Sequence, residues 1–251
     1  KVYDGNTTAS VTFTFTGLVG DETLGQTVGA TFADKNVANA KTVTVNSITL
    51  SDDGDSGGLA SNYSISTGQT TTANITPKAL TIGGITASNK TYNGNTTASV
   101  TLTLTGLVGS ETLGQTVGAT FADKNVGTGK TVQLSAATID DGNSGNNYSV
   151  TLSNSSTGVI TKASLTVSAI DDAKFVTQSD PTFTFVYNGF VNGETASSLV
   201  TASEFTVGSV SRSNSSTNAA GTYTDVLVPG SFSADNYDIT VVNGHFTIVP
   251  A

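Results

Sequence analysis

Two loops hold the residues whose types and spacing best suit chemistry. Ser51-Asp52-Asp53-Gly54-Asp55-Ser56-Gly57-Gly58 and Asp140-Asp141-Gly142-Asn143-Ser144-Gly145 set oxygen donors at alternate positions, with glycines that permit a sharp bend. Hard cations such as calcium take several oxygen ligands from loops of this kind. Asp53 with Asp55, and Asp141 with Asn143, are therefore candidate calcium ligands, and calcium is the one cofactor the sequence suggests. Neither loop carries the later bidentate glutamate of an EF-hand, so a solvated turn competes with the metal reading.

Other titratable residues lead away from catalysis. Glu22, Glu111 and Glu194 each follow a glycine-containing turn and precede a threonine. A residue that recurs in every unit of an array shapes the unit, whereas an acid or base of a reaction centre is unique. Glycoside hydrolysis needs two carboxylates across one cleft, and the neighbours Asp21 and Glu22 have become Ser110 and Glu111 in the second copy. His245 is the sole histidine and there is no cysteine. A transition-metal site or a Ser-His-Asp arrangement thus lacks its parts, and a histidine at a sheet edge is expected. Lys35 and Lys124, each in Asp-Lys-Asn-Val, suit either a charged turn or an intramolecular amide cross-link to Asn or Asp. Tyr3 and Tyr92 precede Asp4-Gly5 and Asn93-Gly94, residues that tolerate positive φ, and are expected to pack across a tight turn. No enzyme is expected.

The elements that position these residues are short strands. Val11-Thr12-Phe13-Thr14-Phe15-Thr16 places three apolar side chains on one face and three threonines on the other, as a half-buried strand requires. Similar runs occupy 43–45, 47–50, 63–65, 80–82, 132–134, 148–152, 165–167, 183–186, 237–241 and 245–249, punctuated by Gly, Asn and Asp. The segment 194–202 predicts a single short helix capped by Thr195.

The runs belong to a larger repeat. Residues 5–37 recur at 94–126 with three changes, Phe13 to Leu102, Phe15 to Leu104 and Asp21 to Ser110. Asn62-Tyr63 recurs as Asn147-Tyr148 and Asn236-Tyr237, and Thr182-Phe183-Thr184-Phe185 opens a divergent third copy. The reading is three tandem all-β units, 1–79, 80–163 and 164–251, arranged as a rod that reaches on the order of 100 Å. Immunoglobulin-like sandwiches are the first expectation, and a β-grasp arrangement, at least in the third unit, is the alternative. The junctions Ile75-Thr76-Pro77-Lys78-Ala79-Leu80 and Ile160-Thr161-Lys162-Ala163-Ser164-Leu165 hold no Gly/Ser linker, which predicts closely coupled units. The first copy lacks the opening strand that 80–86 supplies to the second.

Composition narrows the partners. Asp and Glu number 19 against 10 Lys and Arg, for a net charge of −9. This balance argues against nucleic acid and anionic membrane surfaces as partners, and neither is expected. No apolar run is long enough to span a bilayer, and a chain that starts at Lys1 without any Met reads as a piece of something larger, with further repeats of the same polypeptide as neighbours. A monomer is expected.

The segments Lys1-Val2-Tyr3-Asp4-Gly5-Asn6-Thr7-Thr8-Ala9, Gly17-Leu18-Val19, Gly106-Leu107-Val108, Asn62-Tyr63 and Ile75-Thr76-Pro77-Lys78-Ala79-Leu80 resemble the YDG-type repeat of bacterial filamentous-haemagglutinin-like adhesins. The third unit, through Asp180-Pro181-Thr182-Phe183, Gly189-Phe190-Val191-Asn192-Gly193-Glu194-Thr195 and Asn236-Tyr237-Asp238-Ile239-Thr240, is similar to the MBG-type repeat. The resemblance implies stalk domains of a large bacterial protein, secreted or held at the cell surface, that project or link an adhesive region. It supplies no catalytic residues. The competing function is a binding module for a host or matrix glycan or protein. Its site would lie on the loop 212–221, which has no counterpart in the other copies, with Arg212 and Asn214 as candidate contacts.

Overall fold

The computed structural model describes residues 1–251, with the side chains at 83, 113, 115, 116 and 156 outside the description. The chain forms two compact units, Lys1–Gly84 with Leu102–Val117 and Ala136–Ser153, and Ile85–Thr101 with Gly118–Ser135 and Asn154–Ala251. The division runs through the second sequence repeat. The fold is all-β, as the period-two alternation and the β-branched composition of the runs require.

In the first unit, Thr8–Ala9, Gly25–Phe32, Ala38–Ser51 and Thr70–Ile75 form an antiparallel sheet in that order. Alternation along Ala38–Ser51 turns Val43 and Val45 inward, where they meet Phe32, Ala30, Tyr3 and Ile75. A second sheet has three strands, Tyr148–Val150, Lys78–Ala87 and Val100–Thr105, with Lys78–Ala87 in the middle. Tyr148 pairs with Lys78 and Val150 with Leu80, and these two strands run parallel. Leu80 thereby enters the same apolar cluster as Tyr3 and Tyr148. Only Thr76 and Pro77 separate Thr70–Ile75, the last strand of one sheet, from Lys78–Ala87, the middle of the next.

The expected strands at 11–16 and 63–65 do not form in the first repeat, although the near-identical 100–105 does. The cause is the missing partner. Val100–Thr105 and Tyr148–Val150 both flank Lys78–Ala87, and among the described residues the first repeat has no counterpart of that middle strand. In place of a ladder, the Gln26 carboxamide holds Phe13, accepting from its N–H at 3.0 Å and donating to its carbonyl at 2.7 Å.

Lys90–Thr91, Asn154–Thr161, Gly127–Asp140 and Thr112–Phe121 form a further four-stranded sheet in that order. In the second unit the third repeat restates the pattern. Ala163–Ala169 lies between Phe185–Asn188, antiparallel, and Tyr237–Val242, parallel. Its inward residues Ala163, Leu165 and Val167 are all buried. Asp172–Phe175, Gly244–Val249, Gly221–Gly230 and Ser209–Arg212 make the companion sheet, and Leu227, Phe246 and Ile248 centre its core. The parallel pairings were not foretold by alternation, which is blind to strand direction.

The expected helix is present as Ala196–Thr201, and Thr195 caps it by accepting the Ser198 N–H at 3.1 Å. Edge-to-face contacts link Phe185, Tyr187, Phe205 and Phe232 beside it, an aromatic cluster with no counterpart among the described residues of the other repeats.

Candidate functional site

The recurring glutamates are where the titratable residues of the chain converge. In the first unit a turn closed by the Glu111 N–H on the Val108 carbonyl, 3.1 Å, aims the Glu111 carboxylate at the start of Tyr148–Val150. The Tyr148 hydroxyl donates to Glu111 Oε2 and accepts the Val108 N–H at 2.9 Å. Two residues of the first repeat complete the site. The Tyr3 hydroxyl donates to Glu111 Oε1 at 2.5 Å, and Lys35 Nζ donates to the same oxygen at 2.9 Å. Tyr3 and Tyr148 meet edge-to-face at 5.4 Å, and the Lys35 ammonium lies 5.8 Å from the Tyr3 ring centre.

Beside the carboxylate, Asn147 is wholly buried; its Oδ1 accepts the Val37 N–H at 2.9 Å, and its Nδ2 donates to Asn36 Oδ1 at 3.1 Å. The same arrangement recurs in the second unit. Tyr92, Tyr237 and Lys124 donate to Glu194 at 2.6, 2.5 and 2.9 Å. Asn236 accepts the Val126 N–H at 2.9 Å and donates to Asn125 at 3.0 Å.

The electrostatics describe a clamp. Burial alone would raise the pKa of Glu111, but hydrogen bonds from Tyr148, Tyr3 and Lys35 outweigh it and hold the carboxyl below its ordinary range. Burial, then the bond to Glu111, pushes Tyr148 up to about 12; burial and Glu194 do the same for Tyr92. A carboxylate kept ionised by three donors is a poor general acid, and its oxygens are already engaged.

Sequence reasoning assigned the glutamates to fold and the lysines to a charged turn or a cross-link. In the structure, Lys35 and Lys124 are ion-paired with Glu111 and Glu194. The convergence itself was missed. One signal pointed to it: Asp-Lys-Asn-Val occurs in the two copies that contribute Tyr and Lys and is lacking in the third.

The other candidates lie elsewhere. Asp53 accepts the Asp55 N–H at 3.1 Å with one oxygen and the Thr23 hydroxyl with the other. Asp141 is buried, and its two oxygens accept backbone N–H groups of Asn143, Gly145 and Asn147 at 2.7, 2.8 and 3.0 Å. Asn143 donates to the Asn147 side chain at 2.9 Å, so this loop feeds directly into the Glu111 clamp. Among the described residues no cluster of three or more His, Asp or Glu side chains could hold a metal.

Arg212 is buried and forks onto Asp180 at 2.8 and 3.0 Å, while it also holds the Thr217 and Ser215 carbonyls of its own loop at 2.8 and 3.2 Å. Asn214 lies half-buried in that loop, its carbonyl accepting the Thr217 N–H at 2.9 Å. His245 corrects the edge-strand expectation. Its strand, Gly244–Val249, lies inside its sheet, and the ring is exposed with Nδ1 accepting the Asp225 N–H at 3.1 Å.

Residues 1–73 and 76–158 each match the family model of the YDG domain. The chain belongs to the YDG-domain family. Residues 165–247 match the MBG domain of YGX type. No curated protein and no solved structure matches the chain. YDG and MBG domains are repeat domains of adhesin-like proteins and are not enzyme families.

The glycine of each YDG turn has a physical role at the clamp. Gly5 and Gly94 have φ of +78° and +76°, and a Cβ on them would stand 2.6 Å from Val108 Cγ1 and from Asn192 Cβ. Gly94→Ala is expected to lower stability by about 1–3 kcal/mol, read by chemical denaturation, because it combines backbone strain with a clash at a site that cannot open without parting Tyr92 from Glu194.

Proposed function

We propose that this chain is a stalk or spacer segment of a large bacterial adhesin, secreted or displayed outside the cell, whose repeats hold an adhesive region in place without binding a ligand themselves. The carrying observation is the clamp: Tyr and Lys of one repeat close on Glu and Tyr of the next, first at Glu111 and again at Glu194. Coupling of this kind suits transmission of load and fixed spacing, and it engages the recurring glutamates together with Lys35 and Lys124. Two further facts support the reading: Arg212, the best candidate contact of the third repeat, is committed to Asp180, and the chain is acidic and free of cysteine.

The test is single-molecule pulling beside a binding screen. Glu111→Ala should lower the unfolding force of the intact chain, and an array of glycans and matrix proteins, with calcium or with chelator, should give no saturable binding. Saturable binding that disappears when the loop 213–220 is replaced would overturn the spacer reading in favour of a binding module.

A further inference from the structure

The first repeat repeats the acceptor half of the clamp without its donors. Tyr63 donates to Glu22 Oε2 at 2.5 Å and accepts the Val19 N–H at 3.0 Å, as Tyr148 does with Glu111 and Val108. Among the described residues, no tyrosine and lysine pair faces Glu22. Asn62 is exposed where Asn147 and Asn236 are buried, and Val19 is 70% exposed where its counterpart Val108 packs into the core cluster beside Gly5. Adjoining this half-site is a cavity of about 210 Å³ between 13–18 and 63–65, lined by Phe13, Phe15, Leu18, Leu24, Leu50 and Ile65. These are the two segments that fail to become strands, and in the sister repeats the middle strand runs between their counterparts.

We infer that this face is an acceptor for another YDG-type repeat. That repeat inserts its outgoing strand, of the Lys-Ala-Leu-Thr-Ile type, into the groove and closes its own Tyr and Lys on Glu22. Strand addition of this kind supplies main-chain hydrogen bonds for affinity and alternate side-chain pockets for specificity. The incoming strand lies parallel to 63–65, as Lys78–Ala87 lies to Tyr148–Val150, and its alternate apolar residues fill the groove as Ala163, Leu165 and Val167 fill theirs. Charge agrees, since a lysine arrives at an anionic half-site. The inference rests on the geometry of the repeats and stands apart from the stalk reading.

The experiment extends the intact chain at Lys1. A copy of residues 76–89 placed in front should slow amide exchange across 11–16 and 63–65 and raise the melting temperature. The same segment carrying Leu80→Asn should do neither. With a whole copy of residues 1–89 in front, Glu22→Gln should lower the melting temperature by several degrees, and in the parent chain it should leave it nearly unchanged. Unaltered exchange at 11–16 and 63–65, equal protection from the Leu80→Asn segment, or the same Glu22→Gln effect in both chains overturns the inference. None of these outcomes bears on ligand binding, so the spacer reading fails or survives separately.

Discussion

Replacing Glu111 with alanine is expected to lower the unfolding free energy by about 3 kcal/mol, measured by urea or guanidinium denaturation followed by circular dichroism. The loss exceeds that of an ordinary surface ion pair because three donors are orphaned together. Tyr3 and Tyr148 are 1% and 7% exposed, so their hydroxyls have no ready access to water once the carboxylate is gone. Lys35 is more open, with 40% of its side chain exposed, and adds less. The bulk of the effect therefore comes from the tyrosines.

A pH titration distinguishes this origin from lost packing. Tyr148 keeps its proton in the folded chain up to about 12, because burial and then the bond to Glu111 disfavour the phenolate, and in the unfolded chain it releases it near the ordinary value of about 10. Between those values the folded state binds more protons, so stability falls as pH rises through that window and is fully present below it. Glu111 acts at the other end: its depressed pKa contributes stability at neutral pH that is lost as the solution is acidified. Glu111→Ala should remove its share of the acid limb and make the alkaline limb shallower, the part due to burial of Tyr148 remaining. A variant that lowers stability equally at every pH would place the effect in packing alone.

Asp180→Ala is the second large effect, expected to destabilise by about 3–5 kcal/mol in the same assay. Asp180 is the shared anion of Arg212 and Lys174, whose side chains are only 2% and 7% exposed, at 2.8 and 2.7 Å. Its removal leaves two cations buried, one of them over the Phe246 ring at 4.9 Å in the core of the sheet. Hydrogen exchange should quicken through 213–220, because the guanidinium that holds the Thr217 and Ser215 carbonyls loses its anchor. Replacing Asp180, Arg212 and Lys174 together by apolar residues of similar size should cost much less than Asp180→Ala, since desolvation of all three charges is then avoided.

How far the sequence could be read depended on whether the deciding partner was near. Thr195 as a helix cap was legible because its acceptor role is completed three residues later, by Ser198. Alternation along 43–45, 47–50 and 165–167 was legible for the same local reason. Phe13 and Leu102 mark the limit. They occupy equivalent positions in nearly the same sentence of residues, yet only Leu102 lies in a strand, because a strand needs a neighbour that local pattern does not name. The acidic loops show a related limit: oxygen donors at alternate positions suggested a calcium loop, and local pattern does not tell that the Asp141 oxygens accept backbone N–H groups. The clamp lay furthest out of reach, because Tyr3 meets Glu111 across more than a whole repeat, and Arg212 finds its partner in a loop that sequence gave no reason to place beside it.

The parallel pairing of the middle strands also sets an order of events in time. Lys78–Ala87 and Ala163–Ala169 can each take one neighbour early, Val100–Thr105 and Phe185–Asn188, but the parallel edge of each waits for the Asn-Tyr pair further on, Lys78 for Tyr148 and Ala163 for Tyr237. Closing so long a loop is slow compared with forming a hairpin. Closure at Tyr148 and at Tyr237 also delivers the tyrosine hydroxyl that seats the glutamate of the same repeat, Glu111 and Glu194. The pairing works as a pawl would: a strand late in the repeat locks the strand that opens it.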